Sequence, residues 1–151
     1  HFIGPIQSNK TKPIAENFQW VHSVDRLKIA QRLSEQRGTS CPELNVCVQI
    51  NLSAEASKSG VALDEALALC DSIEALPNLT LRGLMAIPAA LPDIESQRQS
   101  FRSLAIEFAR IKARYTHLDT LSMGMSNDFE AAIAEGSTLI RIGTAIFGPR
   151  D

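Results

Sequence analysis

The chain has 151 residues, 44% of them hydrophobic and 21% charged, and a net charge of −2. That length suits one domain over residues 1–151 with a sizeable core, and near-neutral charge offers no bulk attraction to nucleic acid or an anionic membrane. Aromatic residues make up only 5%, too few for base-stacking platforms, and no run is apolar and long enough to span a bilayer.

Hydrophobic periodicity predicts alternating strands and helices along the whole chain, the pattern of a parallel sheet. Strands are expected at 1–4, 18–22, 44–50, 80–86, 118–122 and 138–142. Helices are expected at about 8–16, 24–36, 62–76, 95–115 and 128–135. In the strand at 44–50, Leu44, Val46, Val48 and Ile50 share one face, and Asn45, Cys47 and Gln49 share the other with Asn51. The apolar face should lie under helices, which leaves Asn51 at the polar C-terminal mouth where barrel sites form. By the same phase Met85 is expected to share a face with Leu81 and Gly83, and His22 is expected to end its strand. The helix from 95 carries Phe101, Leu104, Phe108, Ile111 and Tyr115 on one stripe, with Arg98, Arg102, Lys112 and Arg114 on a solvated face. Pro42, Pro77, Pro88 and Pro92 punctuate loops. Cys41, Cys47 and Cys70 are odd in number and lack metal spacing, as in a protein that keeps its thiols reduced; Cys47 and Cys70 read as core and Cys41 as loop.

The segment LSMGMSNDFEAAIAEGSTLIRIGTAIFG at 121–148 concentrates the candidate chemistry. Ser126 and Asn127 precede a helical pattern, where they cap the helix or lend donors to an anion. Gly143 and Thr144 offer open backbone and a hydroxyl just past the last strand. Two such loops after the final strands of a β/α barrel form a phosphate site when they converge. Arg141 lies between Ile140 and Ile142 and so points to the opposite face. Ser122 reads equally as a mouth hydroxyl or a core serine, Asn51 as a ligand or a loop-bracing amide, and Met85 as packing beneath a ligand. Lys58 reads first as a solvated loop lysine, and His1 and His22 as structural histidines. No Ser-His-Asp order, zinc motif or Walker loop is visible.

Together with HFIGPIQSNK at 1–10, INLSAEASKSGV at 50–61 and LRGLMAIPA at 81–89, that segment resembles the pyridoxal 5′-phosphate (PLP) homeostasis proteins, the YggS/PROSC family, along essentially the whole chain. The resemblance implies a TIM-type, alanine-racemase-like β/α barrel that is incomplete here, holding the last six of eight strands. It implies PLP as cofactor and no catalytic activity. Ser126, Gly143 and Thr144 match the phosphate loops, Arg141 the arginine facing the pyridine nitrogen, and Asn51 a residue near the ring. Met85 and Ser122 complete the expected cofactor-binding set. The covalent lysine is expected in an AVSKTK-like segment upstream of His1, not at Lys10 or Lys12. PLP-requiring apoenzymes, a cytoplasmic location and a monomeric full-length protein are further implications. The rivals are a PLP-dependent racemase-like enzyme, for which Tyr115 is badly placed as a second acid–base, and a barrel enzyme acting on a phosphorylated metabolite. A barrel lacking two βα units has open edges at Phe2–Gly4 and Thr138–Ile142, and its interior is expected to expose Leu81 and Met85.

Overall fold

The computed structural model describes residues 1–53 and 59–149; Lys58 lies outside them. Five strands pair in parallel in their order along the chain: β1 (Trp20–Val24), β2 (Leu44–Ile50), β3 (Leu79–Ala86), β4 (Thr120–Met125) and β5 (Leu139–Arg141). A doubly wound sheet reverses its strand order partway, whereas a barrel adds each strand beside the last. The sequential order is therefore that of an incomplete β/α barrel.

The helices are α1 (Thr11–Asn17), α2 (Leu27–Arg37), α3 (Ala66–Glu74), α4 (Ile94–Arg114), α5 (Phe129–Ala134) and the short α6 (Thr144–Phe147). The stripe on α4 is borne out: Phe101, Leu104, Phe108 and Ile111 are buried. Asp93 starts that helix by accepting a hydrogen bond from the Ser96 N–H at 2.8 Å. Tyr115 stands at its C-cap and donates its hydroxyl to Asp71 on α3, on the helical layer and away from the inner sheet face. The arginines expected to be merely solvated instead tie helices together. Arg98 and Arg102 both grip Glu135 just beyond α5, and Arg114 reaches Asp71. Arg102 first, and then Arg98, hold the Glu135 carboxyl down at about 2.

The two faces of the sheet differ as their residues require. Val46, Val48, Ile50, Leu84, Ala86, Leu121 and Met123 form one apolar cluster with Ile29, Leu33, Leu69, Ile73 and Phe101 from the helices. Cys47 and Met85 are fully buried yet outside that cluster, as expected for residues on the inner face. Cys70 is buried and Cys41 half-buried, all three thiols being free.

Three strand expectations need correction. Residues 1–4 form a single parallel bridge, Phe2 to Val21, rather than a strand. Gly4 and Pro5 follow at once, and proline has no N–H to extend a ladder. His22 is mid-strand in β1, not at its end. Leu81 does not share a face with Met85: it is 2% exposed and belongs to the outer cluster. The cause is a bulge, since one step along β2 (Val46 to Cys47) spans two along β3 (Leu81 to Gly83). Gly83 there has φ 154°, and a Cβ would lie 1.8 Å from the Thr120 carbonyl oxygen, so β3 and β4 approach at a point only glycine permits. The expectation that Leu81 and Met85 are exposed to water also fails, because both are buried.

Arg37, 5% exposed, anchors the first half of the fold. Its guanidinium donates to the carbonyls of Pro42 at 2.7 Å and Phe18 at 2.7 Å, and to that of Ala15. Replacing it strands those acceptors, and each buried unsatisfied group costs about 1–3 kcal/mol. Arg37→Met should therefore lower unfolding free energy by roughly 3 kcal/mol in denaturant titration; a loss below about 0.5 kcal/mol, the range of ordinary surface substitutions, would contradict this role.

Candidate functional site

The site forms where β4 and β5 leave the sheet. After β4 the chain turns through Ser126, Asn127 and Asp128 into α5. Asp128 closes that turn, its carboxylate accepting from the Met125 N–H at 2.6 Å. Ser126 does not cap α5; its hydroxyl accepts from the backbone N–H of Ala145 in α6 at 3.2 Å. That bond joins the two final loops. Gly143 is the residue before α6, and its carbonyl accepts from the N–H groups of Ile146 and Phe147. Ser126, Gly143 and Thr144 thus gather at one place, with Gly143 and Thr144 exposed. Gly124, φ 97°, lets β4 enter the turn, since a Cβ would stand 2.6 Å from the Ala132 methyl.

Arg141 lies on β5 opposite Met125 and directs its side chain across the sheet. One terminal nitrogen, Nη1, donates to Ser122 Oγ on β4 at 2.6 Å, and the other, Nη2, donates to the Ala86 carbonyl of β3 at 2.9 Å. The third donor, Nε, is buried without a hydrogen-bond partner. Burial lowers the guanidinium from its ordinary value, with Asp128 acting in the opposite sense; arginine still keeps its proton.

Ser122, opposite Met85 in the sheet register, is fully buried. It bonds side chains rather than backbone, meeting both Arg141 and His22 Nδ1, the latter at 2.9 Å. His22 is more than the structural histidine its sequence context predicts: its Nε2 lies 2.9 Å from His1 Nδ1. The His1 ring stacks on Trp20 at 5.1 Å, and the Arg82 guanidinium lies 4.6 Å over Trp20 while pairing with Asp119. Burial first, then Arg141, pull His22 down to about 4, so it is neutral at physiological pH. The one signal in the sequence for His22 was its alternation with Val21, which placed it on the inner face.

Asn51 stands just past β2, where its Oδ1 accepts from the Ser53 N–H at 3.1 Å. Met85 is fully buried on the inner face. Arg141, Ser122, Met85 and Ser126 come together around the ends of β3, β4 and β5, and Asn51 sits one strand further along at the end of β2. Among the described residues no group of His, Cys, Asp or Glu is placed to hold a metal ion, and no helix is long and apolar enough to cross a membrane.

A sequential parallel sheet with an apolar outer face, a polar inner chain and an inward arginine beside two joined loops defines a β/α-barrel protein. Comparison with known proteins narrows the class. Residues 2–151 match the family described as alanine racemase, N-terminal domain. The protein is 62% identical over its full length to the pyridoxal phosphate homeostasis protein of Pseudomonas aeruginosa and 57% identical to that of Escherichia coli, covering 64% of each. It is 33% identical to PipY of Synechococcus elongatus, solved with PLP bound, with a TM-score of 0.84 over 96% of this chain and 68% of that one. The chain belongs to the alanine racemase N-terminal domain family, within the branch of the pyridoxal phosphate homeostasis proteins. It spans about 64% of the length of the curated relatives it matches.

Proposed function

We propose that this chain supplies the phosphate and pyridine-nitrogen ends of a PLP site in a protein that buffers and delivers PLP without catalysing a reaction on it. The observation that carries this reading is the buried, unpartnered Nε of Arg141. A desolvated N–H with no acceptor is costly, and a ring nitrogen bearing a lone pair satisfies it. An arginine cannot readily give its proton to that ring, so the pyridine stays unprotonated and draws electrons weakly. PLP enzymes that depend on strong carbanion stabilisation place an acidic partner there instead. That contrast speaks against transaminase-type chemistry, and Tyr115, at the C-cap of α4 and bonded to Asp71, is badly placed as the second acid–base that the racemase-like alternative needs.

Ser126, Gly143 and Thr144 would hold the phosphate through hydroxyl and backbone donors. Met85 and Ser122 would line the floor under the ring, and Asn51 would brace the mouth loop. Bound PLP supplies an aldehyde that a lysine captures, and we assign that lysine to a segment upstream of His1. Residues 1–151 act as a single domain in this reading. The full-length protein is a cytoplasmic monomer, and PLP-requiring apoenzymes receive the cofactor.

Full-length protein purified with PLP and reduced with borohydride should carry one pyridoxyl group, and peptide mapping should find it upstream of His1. Stoichiometric label on Lys10, Lys12 or Lys58 would relocate the site, and failure to bind PLP at all would favour a barrel enzyme for another phosphorylated metabolite.

A further inference from the structure

Ser122 has one hydroxyl proton and two side-chain partners. Arg141 Nη1 only donates, so it occupies an oxygen lone pair. The serine is fully buried, and its own proton then goes to His22 Nδ1, the other partner within 2.9 Å. That assignment leaves His22 as the neutral tautomer with its proton on Nε2, which donates to His1 Nδ1 at 2.9 Å. The hydrogen bonds therefore run one way, from Arg141 through Ser122 and His22 to His1. The His22 ring is fully buried and faces Arg141 and the His1 ring. A second positive charge there would be poorly solvated and repelled, which agrees with the low His22 value.

From this one-way chain we infer that His22 and Ser122 are positioning residues: they hold the Arg141 fork in a single donor orientation and keep any readily released proton away from the ring-nitrogen end of the pocket. The inference rests on the PLP reading of the site. Each member has a reason to withhold a proton. The guanidinium is too basic, the serine proton is committed to His22, and the imidazole is neutral. Without Ser122 the fork loses one of its two ties and swings about the Ala86 carbonyl, and Nε loses its aim.

The test begins with the unaltered full-length protein. Nitrogen-15 NMR of its histidine side chains at neutral pH, without added PLP, should show His22 as the neutral Nε2–H tautomer. An Nδ1–H tautomer or an imidazolium at that pH overturns the chain as drawn. The second arm measures PLP affinity and the visible spectrum of Ser122→Ala and Ser122→Thr. The alanine variant should bind about tenfold more weakly, as expected for one lost hydrogen bond of about 1.4 kcal/mol, with an altered spectrum. The threonine variant, which restores the hydroxyl, should recover both. A folded Ser122→Ala protein with unchanged affinity and spectrum overturns the positioning role. The two readings fail separately. If the unaltered protein binds no PLP, the cofactor reading falls, while the His22 tautomer still decides the chain.

Discussion

Arg141→Glu in the full-length protein should raise the dissociation constant for PLP by about a hundredfold, as expected for loss of a charge-assisted hydrogen bond worth up to about 3 kcal/mol. The substitution does more than delete a donor. It replaces a fork that ties β5 to Ser122 of β4 and to the Ala86 carbonyl of β3 with an anion facing that same carbonyl. It also places an acid within reach of the ring nitrogen, so the bound cofactor's spectrum should shift. Arg141→Lys keeps the charge but not the two-pronged geometry and should fall between the two. The measurement is a PLP titration followed by absorbance, with circular dichroism to confirm that both variants fold. Unchanged affinity and spectrum in folded Arg141→Glu would make Arg141 a purely structural tie between three strands.

Residues 1–151 expressed alone should self-associate in a concentration-dependent way. Among the described residues the first edge of the sheet is covered only by the Phe2 bridge to Val21, and β5 pairs with β4 on one side. Open strand edges recruit other edges. Beside β5 lies exposed apolar surface: Ile140 at 36%, Ile146 at 67% and Phe147 at 84%. That combination is a known route to aggregation or edge pairing. Sedimentation over a range of concentrations should show species larger than the monomer, and Ile146→Ser with Phe147→Ser should reduce them. Adding the segment proposed upstream of His1 should give a soluble, PLP-loaded protein. A monodisperse monomer from the isolated chain at all concentrations would show that these edges are not adhesive.

Much of this architecture was legible locally. The alternation in LNVCVQI set both faces of β2, and the stripe on α4 set its buried side, because side-chain direction follows directly from backbone period. The isoleucines flanking Arg141 placed that side chain on the inner face for the same reason. Four well-separated motifs in order pointed to the family. Local period misled wherever pairing intervened. The bulge at Arg82 advances β3 by one residue, so Leu81 turned outward while Met85 stayed inside. No periodicity announces a bulge, because it exists only relative to the neighbouring strand.

The sequence by itself determined the order of elements, their faces, and the residue types that collect at the ends of β4 and β5. Only the tertiary structure decided which of those residues touch. Ser126 belongs to the loop before α5 yet bonds α6, and His22 finds Ser122 across 100 positions of chain. The unpartnered Nε of Arg141 emerged the same way, once β4 and β3 had claimed the other two nitrogens. Periodicity is a property of neighbours along the backbone, whereas hydrogen-bond satisfaction is a property of neighbours in space. The chemistry of this site rests on the second.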